Sequence, residues 1–469
     1  MTSDFVAYSP DYWALFLEFW RFEDANAVWV MVGSILLGIS ASVIGGFAFL
    51  RKRSLMGDAL AHAALPGVMT AFILFHAHTP LLMFFGALIS SFLGLFLMDW
   101  IPKHTKIKPD AAMAITLSFF FALGLMELSY IQGMEVAGKS GLDKILFGQA
   151  AAMLPSDIYL LSAVALVVLL TVAVFFQKFR LIAFNRTYAQ SLGLNIAFYE
   201  LVLALLIVMS VVIGLQIVGV VLMAAVLLTP VAAARFWGHS LSVMLLTAGF
   251  IGGISGLFSA NISYMAPAMP TGPWMVVVLS LVFAVSFLFA PQRGLIANML
   301  KQRRLRRQVC DENVLRTLYV LNERHPVNRH HAQNALALDL PFGEEDILAL
   351  RTMPLAELKE TLARMKKHGW LTGTDTVRAV ALSPTGVERA VALTRRHRLW
   401  ENYLTEQVAL TPDRVHSQAE QIEHLLTDEE TQALERELHS VQKTGSLKDP
   451  HGRRIPAAQV GSDQKGAES

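Results

Sequence analysis

Ile158-Tyr-Leu-Leu-Ser-Ala-Val-Ala-Leu-Val-Val-Leu-Leu-Thr-Val-Ala-Val-Phe-Phe-Gln-Lys178 carries no charge until its last residue. A helix needs about 20 mostly apolar residues to cross a bilayer, because lipid offers the backbone no hydrogen-bond partner. This stretch meets that length, and eight others resemble it. The candidate spans are 27–50, 59–77, 79–99, 111–130, 158–178, 197–215, 217–235, 240–260 and 274–290, and the boundary at 215–217 is the least defined. The 469 residues are 54% hydrophobic and 16% charged, with a mean hydropathy of +0.47. A soluble domain carries about 25% charge. The deficit is concentrated between Ala27 and Ala290, and from Arg293 onward the chain reads as ordinary soluble protein. The fold class expected is therefore an all-α polytopic membrane domain of about nine transmembrane helices plus a soluble α-rich region.

Basic residues orient such a chain, cytoplasmic loops being enriched in them. Arg51, Lys52 and Arg53 follow the first span, Lys103, Lys106 and Lys108 the third, and Lys178, Arg180 and Arg186 the fifth. Arg235 follows the seventh, and Arg293 with Lys301 to Arg307 the ninth. All fall after odd spans, which predicts an external N-terminus and a cytoplasmic C-terminal region. Lys139 and Lys144 are exceptions, in an outer loop that also holds Glu135, Asp143 and Asp157. The single cysteine, Cys310, excludes an internal disulfide and suits a reducing compartment. No cleavable signal peptide is expected; residues 1–26, rich in Trp and Phe, read as an interfacial segment.

Few polar residues fall within the spans. Asp58 and His62 stand four apart, on one helix face. They fit either a ligand pair for a passing divalent ion or a helix cap with a packed imidazole. Glu127 is a weaker candidate, and His76 and His78 read as loop residues.

In the soluble region, Leu315, Leu318, Tyr319 and Leu321 repeat at helical spacing. Ala356 to His368 predicts a helix stopped by Gly369, and Trp370–Gly373 with Val377–Leu382 predicts a hairpin. Ser383 and Pro384 then open a helix as cap and first residue. This order is that of a winged helix. Beyond it His397 and Glu401 are four apart, and Thr411-Pro412 starts a helix carrying His416, Glu420, Glu423 and His424. Imidazoles and carboxylates without thiolates suit Mn, Fe(II), Co or Zn; spacing alone leaves open whether these are ligands or solvated helix positions. The cluster Lys301 to Arg307 suits anionic headgroups on the inner leaflet.

Arg53-Ser-Leu-Met-Gly-Asp-Ala-Leu-Ala-His-Ala-Ala-Leu-Pro-Gly67 resembles a signature of ABC permeases for manganese, zinc and iron uptake. Leu146-Phe-Gly148, Asn185-Arg-Thr-Tyr-Ala-Gln-Ser-Leu-Gly-Leu-Asn195, Gln216-Ile-Val-Gly-Val-Val-Leu222 and Leu228-Thr-Pro-Val-Ala-Ala-Ala-Arg235 are similar to further motifs of that family. Asp58 and His62, as intramembrane ionisable groups, are the residues expected on the translocation pathway. The resemblance implies that Asn185, Gln190, Gly193 and Leu194 belong to the loop that couples to an ATPase subunit. The chain has no Gly-x-x-x-x-Gly-Lys-Ser/Thr phosphate loop, so nucleotide is expected on that separate subunit. An extracytoplasmic metal-binding protein is a further implied partner, as is a second permease, identical or paralogous.

Leu382-Ser-Pro-Thr-Gly386, Arg395-Arg-His-Arg-Leu-Trp-Glu401, Val415-His-Ser-Gln-Ala-Glu-Gln-Ile-Glu-His424 and Asp449-Pro-His-Gly452 resemble the diphtheria-toxin-repressor family of metalloregulators. That likeness implies a metal sensor with His397, Glu401, His416, Glu420, Glu423 and His424 as ligands. Glu420 points to the manganese branch, and the N-terminal ligand position falls near Asn313. Glu357 and Glu360 fall on the recognition helix, and carboxylates there weaken DNA binding; DNA is not an expected partner.

The expectation is thus a multi-pass permease of the bacterial inner membrane, not an enzyme, importing Mn, Fe or Zn. Its segments are residues 1–26 (interfacial), 27–292 (permease), 293–310 (basic linker), 311–393 (winged-helix-like), 394–456 (metal-binding and dimerisation helices) and 457–469 (disordered tail). A membrane-tethered metal-dependent transcription regulator is the alternative, kept open by Arg316, Lys359, Lys366 and Lys367.

Overall fold

The structure is a computed structural model. It describes residues 12–51, 55–76, 79–134, 148, 155–238, 240–265, 269–328, 337–373, 379–406, 428–441, 449 and 455–456. The chain forms two compact units, residues 1–298 and 299–469.

The first unit is helical: α1 Tyr12–Phe19, α2 Ala25–Leu50, α3 Met56–Phe75, α4 Pro80–His104, α5 Pro109–Gly133, α6 Pro155–Phe184, α7 Arg186–Ser191, α8 Ile196–Val218, α9 Met223–Ala234, α10 Leu241–Met265 and α11 Thr271–Phe289. Among the described residues eight helices are long and apolar enough to cross a membrane. The seventh expected span, 217–235, differs. Its helix is α9, of 12 residues, which rises about 18 Å and is short of a hydrocarbon core of about 30 Å. The chain leaves α8 at Gly219, whose φ is +87°, and runs irregularly to Leu222. Non-helical backbone survives at membrane depth only where protein covers it, and Ile217 to Val220 are buried.

Apolar helices gain no hydrophobic drive from meeting in lipid, so close approach through small residues takes its place. A Cβ on Gly38 of α2 would meet the Gly252 carbonyl of α10 at 2.2 Å, and one on Gly67 of α3 the Gly86 carbonyl of α4 at 2.1 Å. Hydroxyls reinforce the second contact: Ser90 donates to the Ala63 carbonyl (2.7 Å) and Ser91 to that of Leu60 (3.2 Å). α3 is the most enclosed span, with 72% of its apolar window buried, and so it can carry polar groups away from lipid.

The second unit begins on α12 (Leu295–Arg324) and continues through β1 (Phe342–Gly343), α13 (Glu344–Leu350), α14 (Leu355–Lys367), β2 (Leu371–Thr372), β3 (Ala379–Leu382), α15 (Pro384–Glu406) and α16 (Asp428–Val441). The strands form an antiparallel sheet in the order β1-β3-β2, with Phe342 opposite Val380 and Leu371 opposite Leu382. Val314, Leu315, Leu318, Ile347, Leu358, Leu362 and Met365 fill the core against this sheet. It is the expected winged-helix order. Ser383 caps α15 by accepting from the Gly386 N–H at 3.0 Å, as Ser-Pro predicts.

Candidate functional site

Asp58 lies in the first turn of α3 and His62 one turn further in. Their i, i+4 spacing brings His62 Nε2 to 3.5 Å from Asp58 Oδ1. His62 is 8% exposed, and its ring packs edge-on against Phe121 of α5, centroids 4.6 Å apart. Nδ1 is buried with no hydrogen-bond partner. Leaving such an atom unsatisfied costs about 1–3 kcal/mol. A third polar group opens at the same level: Pro66 has no N–H, so it cannot donate to the His62 carbonyl as a residue four on normally does. Metal–donor bonds of about 2.1 Å would hold an imidazole nitrogen and a carboxylate oxygen about 3 to 3.4 Å apart, close to the observed spacing. Further along α3, Thr70 donates to both carboxylate oxygens of Glu127 on α5, at 3.1 and 3.2 Å.

The segment Asn185–Asn195 is built almost wholly from capping. Asn185 accepts from the Tyr188 N–H at 2.9 Å, and Asn195 caps α8 by accepting from Phe198 at 3.2 Å. Between them α7 closes through Gly193 N–H to Gln190 carbonyl (2.9 Å) and Leu194 N–H to Ala189 carbonyl (3.2 Å). This is the paired closure of a Schellman motif, with a left-handed Gly; Gly193 has φ +74°. Leu194 packs beside Ala189, Ile182 and Ile196. The four residues singled out from sequence thus shape the turn, while Tyr188 and Leu192 present exposed apolar surface. Arg186 pairs with Glu200 at 3.3 Å.

In the second unit His397 and Glu401 are both buried on α15, with Nε2 to Oε1 at 2.9 Å. On α12, 81 residues earlier, Arg316 places Nη1 at 2.8 Å from His397 Nδ1. Next to it Arg398 donates from Nη2 to Glu323 at 2.6 Å and faces Asp449 at 3.6 Å. Burial alone would pull the Arg398 guanidinium down; the Glu323 bond and the Tyr319 and Asp449 charges outweigh this and raise it. Burial also pushes the Tyr319 phenol up, against the charge of Arg398. Asp449, from the quoted Asp-Pro-His-Gly stretch, is therefore a buried ion-pair partner. Arg395 binds Glu435 of α16.

His416, Glu420, Glu423 and His424 lie outside the described residues. Near the expected N-terminal ligand position, Asp311 pairs with Arg364 at 2.8 Å and Glu312 accepts from Gln308 at 2.9 Å. Asn313 keeps a buried, unpartnered Oδ1. On α14, Glu357 binds Arg306 at 3.0 Å, and Glu360 contacts Arg364 at 3.0 Å and Arg307 at 3.7 Å.

Residues 23–290 match the ABC 3 transport family. The chain belongs to that family. Residues 383–457 match the iron dependent repressor, metal binding and dimerisation domain. The chain is 37% identical over 402 residues to the manganese transport system membrane protein MntC of Bacillus subtilis, covering 84% of this chain and 88% of that one. It is 37% identical over 284 residues to the zinc transport system membrane protein TroC of Treponema pallidum, covering 61% and 95%. Among solved structures, PsaBC from Streptococcus pneumoniae in complex with Fab aligns with a TM-score of 0.55 at 30% identity, covering 61% of this chain and 99% of that one.

This ABC 3 permease is a multi-pass membrane protein for metal transport, with a repressor-type domain behind it. That domain implies a divalent ion, and the residues fit one unevenly. The orphaned Asn313 oxygen is a donor awaiting a partner, whereas His397 already has a guanidinium on Nδ1. Arg316, read from sequence among the cations that keep DNA binding open, is instead 7% exposed and turned onto His397. Its position one helical turn after Asn313 was the available sequence signal, because i and i+3 share a face.

Proposed function

We propose that this chain is the permease subunit of an ATP-driven importer for a divalent transition metal, manganese foremost, with iron or zinc as the other candidates. Asp58 and His62 form a waypoint on the translocation path. The observation that carries this is a buried histidine whose Nε2 lies 3.5 Å from a carboxylate, inside the most enclosed span. Intramembrane ionisable groups mark ion pathways. The metals in the names of the manganese transport protein MntC and the zinc transport protein TroC support the substrate class.

ATP is hydrolysed on a separate subunit that docks at Asn185–Asn195. The exposed Tyr188 and Leu192 on a rigidly capped turn support that role. The permease pairs with a second copy or a paralogue, and an extracytoplasmic protein delivers the ion. The distribution of basic residues supports an external N-terminus and a cytoplasmic second unit in the inner membrane. Radiolabelled manganese uptake is expected to require both this chain and its ATPase. Uptake that persists after deletion of the ATPase overturns the proposal.

The second unit regulates import in response to internal metal, with His416, Glu420, Glu423 and His424 carrying the ligand set. A sensor of this kind needs different affinities in two permease states. Glu420→Ala with Glu423→Ala is expected to sustain uptake at high internal metal, where the parent chain slows. Equal slowing in both would remove the sensing role. The ion-paired carboxylates of α14 count against the tethered transcription regulator.

A further inference from the structure

We infer that Arg316 stands in the place of a metal ion at His397, so that the His397–Glu401 corner of the proposed sensor is closed by a guanidinium and opens to a divalent cation only when that arginine leaves. The inference rests on the sensing role only for its biological meaning; the chemistry is that of three side chains.

Arginine does not deprotonate in proteins and has no acceptor atom. At 2.8 Å from His397 Nδ1 it is therefore the donor, and Nδ1 is the unprotonated nitrogen whose lone pair the contact uses. A neutral imidazole with Nδ1 bare carries its proton on Nε2, and Nε2 lies 2.9 Å from Glu401 Oε1. The carboxylate accepts that proton's bond. Both ends of the ring are thereby committed, one to a cation and one to an anion. A divalent ion binds imidazole through an in-plane lone pair, and neither nitrogen offers one in this arrangement.

The charges point the same way. Arg316, His397 and Glu401 are 7%, 4% and 2% exposed. One guanidinium and one carboxylate flank the ring, opposite charges of the kind whose pairing lets buried ions persist. A divalent cation added beside Arg316 meets a like charge in a poorly screened setting, whereas one that replaces it finds the Nδ1 lone pair of a ring that Glu401 holds from Nε2 as an outer partner. Arginine and metal thus compete for one position, which raises the metal concentration needed to engage His397.

Cobalt titration of the full-length, detergent-solubilised chain tests this, read by d–d absorption, which reports nitrogen ligation. Arg316→Gln is expected to bind Co(II) about 10-fold tighter or more, with new d–d intensity that His397→Gln abolishes in the double variant. Arg316→Lys retains a cationic donor and is expected to titrate as the parent does. In the parent background, His397→Gln is expected to remove only the part of the cobalt spectrum that appears last in the titration, a comparison that stands even if Arg316→Gln fails to fold. Loss of the spectrum's first-appearing part on His397→Gln in the parent, or a folded Arg316→Gln variant with no His397-dependent gain, overturns the inference. A His397-dependent gain in a chain whose uptake ignores internal metal would leave the inference standing and remove the sensing role.

Discussion

Asp58→Asn and His62→Gln are each expected to lower metal uptake by about 100-fold while the chain still reaches the membrane at its normal level. Perturbing even the groups around a metal ligand costs about 10- to 100-fold in affinity, and these substitutions remove the proposed donors themselves. Asn preserves the shape of Asp58 but supplies a neutral, weaker oxygen to a divalent ion. Gln at 62 keeps a polar group at that position yet loses the imidazole Nε2 that faces Asp58. The structural cost is modest: the edge-on contact with Phe121 is worth about 0.5–1.5 kcal/mol, within the reserve of a packed bundle. His76 provides the control. It ends the same helix at φ +48°, a conformation that Asn also accepts, and His76→Asn is expected to leave uptake within about two-fold. Immunoblotting of the membrane fraction beside radiolabelled uptake separates transport from abundance. Normal uptake by either the 58 or the 62 variant would reduce the pair to a helix cap and a packed ring.

The spanning helices were legible because lipid enforces long uncharged runs, and α3 was legible down to the shared face of Asp58 and His62. The break between α8 and α9 was not. Residues 201–234 are apolar on nearly every side, so hydrophobic periodicity carries no phase there, and of Gly214, Gly219 and Pro230 it is Gly219, at positive φ, that marks the break. A local motif transferred: Ser383 caps the helix that Ser-Pro predicts, since a cap depends on residues two or three away; the caps by Asn185 and Asn195 carry the same kind of signal and were not read. Tertiary pairings did not transfer. Glu357 and Glu360, which the family likeness placed on a recognition helix, meet Arg306, Arg307 and Arg364; Arg306 and Arg307 belong to the basic run read as suiting anionic headgroups. The His397–Glu401 spacing was visible in one helix, whereas the arginine that contacts His397 comes from another, and its place one turn after Asn313 was a faint local sign of that meeting.

Gly148→Ala is expected to deplete the folded chain, whereas Gly193→Ala leaves it folded, although both glycines sit at φ +74°. The left-handed conformation costs a residue with a Cβ about 1–2 kcal/mol, and both variants bear that cost. Their surroundings differ. Around Gly193 a new Cβ meets nothing within 4 Å, so the backbone term is the whole penalty. At Gly148 it would lie 2.4 Å from the Ile217 carbonyl oxygen, 2.5 Å from the Val218 carbonyl carbon and 2.7 Å from the Gly219 nitrogen. These are backbone atoms of the irregular turn between α8 and α9, and they cannot rotate aside as a side chain would. Gly272 presses on the same turn, its would-be Cβ 2.5 Å from the Val218 carbonyl oxygen, so displacement away from position 148 is also resisted. Overpacking of this kind adds about 1–3 kcal/mol. The combined cost for Gly148→Ala is then about 2–5 kcal/mol, a large part of a marginal stability. Thermal unfolding of the detergent-solubilised chain, with membrane abundance alongside, reads the difference directly. Equal midpoints for the two alanine variants would mean that the turn yields, and that its non-helical backbone is not clamped in place. A deficit confined to Gly148→Ala would show why a helix break can persist at this depth: two glycines let neighbouring segments close over it, and the burial they permit removes the lipid contact that would otherwise force the backbone into a continuous helix.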